Sequence, residues 1–168
     1  MKTKIKRISL LIAILSCSLV WVSVADAGIK ASGGMRLEKV GYEELKLEIE
    51  KLKGKIVILD FMVTWFPPCR KEIPGFVKLT NTYTESGVVV VNVFLDKGTT
   101  KQEIEEFILD NKINYYLFWG DNSIYDKYSV KAFPTTYILD RNGEEIKKYI
   151  GFISYETIEK DIKTLLKK

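Results

Sequence analysis

Histidine is absent from this 168-residue chain. That removes Ser-His-Asp and Cys-His nucleophile pairs, His-ligated metals and His-ligated haem in one step. Cysteine occurs only twice, at Cys17 and Cys69, too few for a four-cysteine zinc or iron–sulfur site. No metal and no other cofactor is expected. Acidic residues are nearly missing from the N-terminus, where Asp26 is the sole acid before Gly28 while Lys2, Lys4, Lys6 and Arg7 crowd the first seven positions. The net charge of +4 therefore comes mostly from that end, and the rest of the chain is close to neutral. No nucleic-acid surface is implied. Hydrophobic residues at 46% and charged residues at 29% exclude a disordered, collagen-like or multi-span membrane protein.

What the N-terminus does contain is an address. The basic residues 1–7 precede an uncharged, largely apolar run, Ile8 to Ala25, and Ala25-Asp26-Ala27 has the small-x-small pattern of a signal-peptidase site. Residues 1–27 read as a secretory signal cut after Ala27. An uncleaved anchor is the main competitor, since eighteen apolar residues just cross a bilayer core. A lipid-accepting Cys17 is a weaker third reading, because Leu19-Val20-Trp21-Val22 continues apolar where a polar tether is needed. All three place the body of the protein outside the cytoplasmic membrane, in a periplasm or on the membrane's outer face. Cleavage leaves Cys69 as the single thiol, so no internal disulfide is available. A chain of about 141 residues nevertheless buries roughly two-thirds of its unfolded surface. The leftover thiol is the residue to explain.

Residues 28–38 read as a tether and 39–168 as one domain. Leu45, Ile49 and Leu52 fall at helical spacing within Tyr42–Leu52, which Gly54 stops. Ile56 to Val63 is a nearly continuous apolar run, the pattern of a strand buried on both faces. Residues 69–84 follow Pro67-Pro68 with helical character, and Pro74 predicts a kink. Val88 to Leu95 reads as a second buried strand and Gln102 to Leu109 as a helix. Tyr115 to Trp119 is apolar but of undecided type. Thr135–Asp140 and Glu144–Ile150 flank an Asn-Gly hairpin signal, and Tyr155–Leu166 closes the chain as an amphipathic helix. Helices alternating with two-sided buried strands, ending in a hairpin, predict an α/β layered sandwich around a mixed sheet.

Two segments hold the chemistry: Asp60-Phe-Met-Val-Thr-Trp-Phe-Pro-Pro-Cys69-Arg-Lys-Glu72-Ile-Pro74, and Tyr128-Ser-Val-Lys-Ala-Phe133-Pro134-Thr-Thr-Tyr-Ile-Leu-Asp140. Together they resemble the thioredoxin superfamily, most closely its exported TlpA/ResA-type thiol–disulfide oxidoreductases, some of which help in cytochrome c maturation. The resemblance covers residues 39–168. It implies a thioredoxin-like three-layer sandwich with helices on both faces of a mixed central sheet. In that family the strand ends in Trp-Cys-x-Pro-Cys at a helix start. The first cysteine attacks a substrate disulfide and the second resolves the mixed disulfide. A thiol at a helix N-terminus is stabilised as thiolate by unpaired N–H groups and the dipole.

Here Trp65, Pro68 and Cys69 match the motif, whereas Phe66 stands where the attacking cysteine belongs. One thiol cannot store two electrons as an internal disulfide. By resemblance, Pro134 is the cis-proline facing the cysteine pair, leaving the Phe133 backbone free for an extended substrate; a proline starting an edge strand is the plainer alternative. Asp60 matches the buried carboxylate that accepts a proton behind the cysteines, and burial should raise its pKa; a capped polar residue at a strand end is the plainer alternative. Glu72 matches an acidic residue that tunes the thiol, or is an ordinary solvated first-turn glutamate. Cys69 is either an inert buried residue with a raised pKa or a lone thiol forming mixed disulfides. A peroxidase of the Pro-x-x-x-Thr-x-x-Cys type would need Pro at Met62 and Thr at Phe66, and has neither.

Two functions follow. One is single-thiol redox chemistry at Cys69, with Asp60 and Glu72 as its proton-handling partners. The other is a redox-silent module that binds extended polypeptides of an envelope partner on an exposed apolar patch of Trp65, Phe66, Pro67, Phe133 and Pro134; the plainer alternative has Phe66 folded down over Cys69 as a plug in the groove.

Overall fold

The computed structural model describes Leu37 and residues 39–167. The signal, the anchor alternative, Cys17 and nearly all of the tether lie outside these residues. In chain order the elements are β1 (Lys39–Val40), α1 (Tyr42–Glu50), β2 (Ile56–Met62), α2 (Pro67–Tyr83), β3 (Val88–Phe94), α3 (Lys101–Asp110), β4 (Tyr116–Gly120), α4 (Ser123–Lys127), β5 (Thr135–Leu139), β6 (Glu145–Ile150) and α5 (Tyr155–Leu165). None of these helices is long and apolar enough to cross a membrane.

One six-stranded sheet runs in the order β1-β4-β3-β2-β5-β6. The pairs β1·β4, β4·β3 and β3·β2 are parallel, and β2·β5 and β5·β6 antiparallel. β2 and β3 occupy the centre and are buried along their whole length, which is why their sequences are apolar without alternation. Ile56, Ile58 and Met62 of β2 pack with α2, α3 and α5 on one face, and Val57, Leu59 and Phe61 with α1 and α4 on the other. Leu37 falls within the stretch assigned to the tether, yet it is 1% exposed and belongs to the α2-side core.

The undecided segment 115–119 becomes β4, whose pairing with β3 satisfies its backbone. β1 and α4 are not foreshadowed by any periodicity, being too short to show one. α2 starts earlier than residue 69, with Phe66 as an extended N-cap and Pro67-Pro68 in the first two helical positions, where a missing N–H costs nothing. It continues through Pro74 as one helix. Pro74 and Arg70 are both exposed, so water can reach the carbonyl that loses its donor.

Candidate functional site

The C-terminal end of β2 delivers Trp65 and Phe66 to the start of α2, and neighbouring elements fix that end. Asp96, just past β3, accepts hydrogen bonds from the Thr64 N–H at 2.9 Å and the Thr64 hydroxyl at 2.7 Å. The Arg70 guanidinium donates to the Thr64 carbonyl at 3.3 Å. The register pairs Phe61 with Thr135, which sets Pro134 opposite the last residue of β2. The Phe133–Pro134 peptide bond is cis, and the Pro134 carbonyl accepts from the Gly151 N–H at 2.8 Å. Sequence reasoning gave no role to Asp96, and an aspartate closing an apolar strand was the available signal.

Below this end lies a buried polar row. Asp60, Asn92 and Thr136 sit side by side on β2, β3 and β5. The Asp60 carboxylate accepts from Asn92 Nδ2 at 2.8 Å and from the Thr136 hydroxyl at 2.9 Å. Its alternation with Ile58 and Met62 points it to the α2 side, the side of Cys69 and Glu72. Burial pushes the Asp60 carboxyl above its ordinary value, and the bonds from Thr136 and Asn92 only partly offset that. Asn92 and Thr136 were not anticipated. The single polar residue inside Val-Val-Val-Val-Asn-Val-Phe was the hint.

Glu72 is not the solvated first-turn glutamate of the plainer reading. It is 3% exposed, and its Oε1 accepts from the Ile153 N–H at 2.7 Å. Burial raises its carboxyl first, and the charge of Asp60 raises it further. Repulsion between the two falls on whichever ionises second, and that is Glu72. Cys69 is 1% exposed. Burial pushes its thiol up to about 12, the nearby Asp60, Glu72 and Asp96 charges add to the rise, and a hydrogen bond from the Val63 backbone opposes it.

The expected patch of five exposed apolar residues needs correction. Trp65 is 66% exposed and Pro67 is exposed, but Phe66 and Phe133 are half-buried and pack on the core, and Pro134 is buried. Phe66 meets Trp65 edge-on, with ring centroids 5.8 Å apart. A phenyl ring placed next to an apolar core gains more by covering it than by facing water. Ile150 at 64% and Phe152 at 52% exposure flank Gly151, whose N–H bonds the Pro134 carbonyl. The sequence offered no signal for them, because Ile150 lies on the edge strand β6 and Phe152 in the loop that follows it, and which side chains stay uncovered there depends on packing.

The two raised carboxyls predict a pH dependence of stability. Their ordinary values are 3.8 and 4.5. Below these, folded and unfolded chains both hold the protons. Above about pH 5 the unfolded chain releases them while the folded protein keeps them. Stability should therefore fall as pH rises from 5 through neutrality until the folded groups also ionise, with a slope of up to about 1.4 kcal/mol per pH unit for each carboxyl. Urea unfolding at pH 5 to 8.5 checks this. Glu72→Gln should flatten the slope, and a parallel pair of curves would refute the assignment.

The chain has clear relatives. The AhpC/TSA family profile matches residues 35–147. The thiol-disulfide oxidoreductase ResA of Bacillus cereus is 33% identical over 118 residues, covering 70% of this chain and 67% of the relative. The thioredoxin-like protein YneN of Bacillus subtilis is 29% identical over 117 residues, 70% of this chain and 69% of its own. Among solved structures, StoA from Bacillus subtilis superposes with a TM-score of 0.56 at 31% identity, over 64% of this chain and 82% of StoA. The mixed sheet flanked by helices, the two motifs at its open end and these relatives agree: the chain belongs to the AhpC/TSA family, with a thioredoxin-like fold, and is similar to thiol–disulfide oxidoreductases of the ResA type.

Proposed function

We propose that this is an exported thioredoxin-like protein that engages extended polypeptides of an envelope partner at the Trp65/Phe66/Pro134 end of the sheet, without a dithiol–disulfide cycle of its own. The observation that carries the proposal is the state of Cys69. The single thiol of the domain is buried, its pKa is pushed up to about 12, and Phe66 occupies the attacking position. Main-chain capacity supports the binding role, since among the described residues the Phe133 N–H and C=O carry no hydrogen bond. An extended segment can use such groups together with apolar side-chain contacts. The basic, then apolar N-terminus ending at Ala25-Asp26-Ala27 supports export, with residues 1–27 as signal and 39–168 as the working domain.

A second reading keeps single-thiol chemistry, favoured by the carboxyls behind Cys69 and by the thiol–disulfide oxidoreductase relatives. In it the Cys69 thiolate attacks a partner disulfide and forms a mixed disulfide. The partner's other sulfur leaves as thiolate, and Asp60, the first of the two carboxyls to ionise, takes the thiol proton. One pair of variants separates the readings, assayed with a disulfide-bearing extended peptide by affinity and intact mass. Cys69→Ser should leave affinity within about twofold, because the thiol is not on the surface. Phe66→Asp should weaken it by about tenfold or more, while the new carboxylate at the N-cap keeps α2 capped. Binding that survives Phe66→Asp would refute the groove. A mixed disulfide at Cys69, lost in Cys69→Ser together with binding, would establish the second reading.

A further inference from the structure

Four segments converge on the apolar end of the sheet, and direct contacts show it. The Thr64 amide and hydroxyl are held by Asp96, Gly151 donates to Pro134, Ile153 donates to Glu72 in α2, and the Phe133 ring meets Tyr125 edge-on at 5.9 Å. Tyr125 in turn donates to the Leu95 carbonyl at 2.5 Å, closing the circle back to the end of β3. Exposed charge on residues 64–72, 95–98, 130–134 and 150–153 is positive, and the exposed acids nearest in the chain to Tyr125 are Asp121 and Asp126. Arg70, Lys71, Lys97 and Lys131 are all exposed, whereas the acids Asp96 and Glu72 are buried. Lys97 lies over the Tyr125 ring at 5.3 Å, the ring that Phe133 meets edge-on. Arg70 lies beside Thr64 and over the Phe107 ring at 5.0 Å. Among the described residues none of the four cations has a carboxylate partner.

Outside residues 1–27 the chain as a whole is nearly neutral, so the like charges on these segments are not a consequence of overall composition. Four exposed cations without a carboxylate partner, on the segments that also carry Trp65 and Phe133, give this end of the sheet a positive rim beside its apolar residues. Rim charges of one sign select partners of the other sign and raise their rate of encounter, while an apolar centre supplies the affinity.

We infer that the partner segment is acidic: an extended polypeptide that sets an aromatic or branched aliphatic residue against Trp65 and Phe152 and places carboxylates on both sides of it, facing Arg70 and Lys71 on one flank and Lys97 and Lys131 on the other. This rests on the groove-binding function proposed above and adds the partner's chemistry to it. A basic or neutral segment of the same shape gains only the apolar contact.

The test uses two synthetic peptides with a common Val-Phe-Val centre, one flanked by glutamates and the other by lysines, titrated by fluorescence anisotropy. The glutamate peptide should bind about tenfold tighter at low salt. The preference should shrink as ionic strength approaches about 1 M, where the screening length is about 3 Å. The double variant K97E/K131E should lose it, and these exposed sites leave the fold intact by circular dichroism. Trp65→Ala should weaken both peptides alike. Equal binding of both peptides, or an acidic preference that survives K97E/K131E, would overturn the charge inference and leave the groove standing. Binding of neither peptide would overturn the groove and the inference together.

Discussion

Cys69 in the folded protein should alkylate about a thousandfold more slowly than in the unfolded chain at neutral pH. The factor comes from thiolate population, because only the thiolate reacts. An ordinary thiol at 9.0 is ionised to about one part in a hundred at pH 7; pushed up to about 12 it is ionised to about one part in 100,000. Steric shielding slows it further, since a sulfur at 1% exposure offers no approach to an alkylating reagent. The floor is set by transient opening, whose frequency follows local stability. Peptide mapping after timed exposure to iodoacetamide separates Cys69 from Cys17. The folded rate should climb about tenfold per pH unit to beyond pH 10, with no plateau near neutrality. A plateau below pH 8.5, or a folded rate close to the unfolded one, would show an activated thiol and transfer the case to the mixed-disulfide reading.

Phe66→Cys should convert a protein without dithiol chemistry into one that forms a disulfide across the first turn of α2 and reduces insulin. Phe66 is the N-cap, with extended φ −86° and ψ 119°, so a thiol there lies at the end of the helix rather than inside it. Ordinarily that position lowers a thiol pKa to about 3.5–7.5. Pro67 and Pro68 lack N–H groups and the Arg70 N–H already donates to the Phe66 carbonyl at 3.2 Å, so the fall should lie toward the upper part of that range. Asp60, the first of the two carboxyls to ionise, then has a task, taking the proton from Cys69 as it resolves a mixed disulfide. The variant should lose about 2 kcal/mol of stability with the half-buried phenyl ring. Insulin turnover by the variant but not the parent, with loss of two hydrogens on oxidation seen by intact mass, is the expected result. A variant that closes the disulfide yet turns over nothing would mean that the groove no longer accepts a redox substrate.

Much of the architecture was legible in the chain, for reasons visible at particular residues. Ile56 to Met62 and Val88 to Phe94 announce central strands because both faces are buried. The apolar spacing in α3 and α5 is reinforced at their starts, where Thr100 and Glu103 form a capping box and Ser154 caps α5. The site was less legible. Asp60, Cys69 and Glu72 could be named from the motif, but a glutamate in a first turn gives no sign of being buried. That depends on Ile153, eighty-one positions away, presenting an N–H to it.

The layered α/β class, the two motif segments, the missing histidine and the single thiol of the domain could all be read from the chain before any folding. Those are properties of residue type and spacing, and no folding can supply an absent side chain. Packing is what seals Cys69 and keeps it protonated, sets Asn92 and Thr136 against Asp60, and brings Gly151, between the exposed Ile150 and Phe152, to Pro134. Each depends on which strands pair and which edge stays open. Burial and charge proximity are set by chain segments far apart in sequence, so no local pattern encodes them.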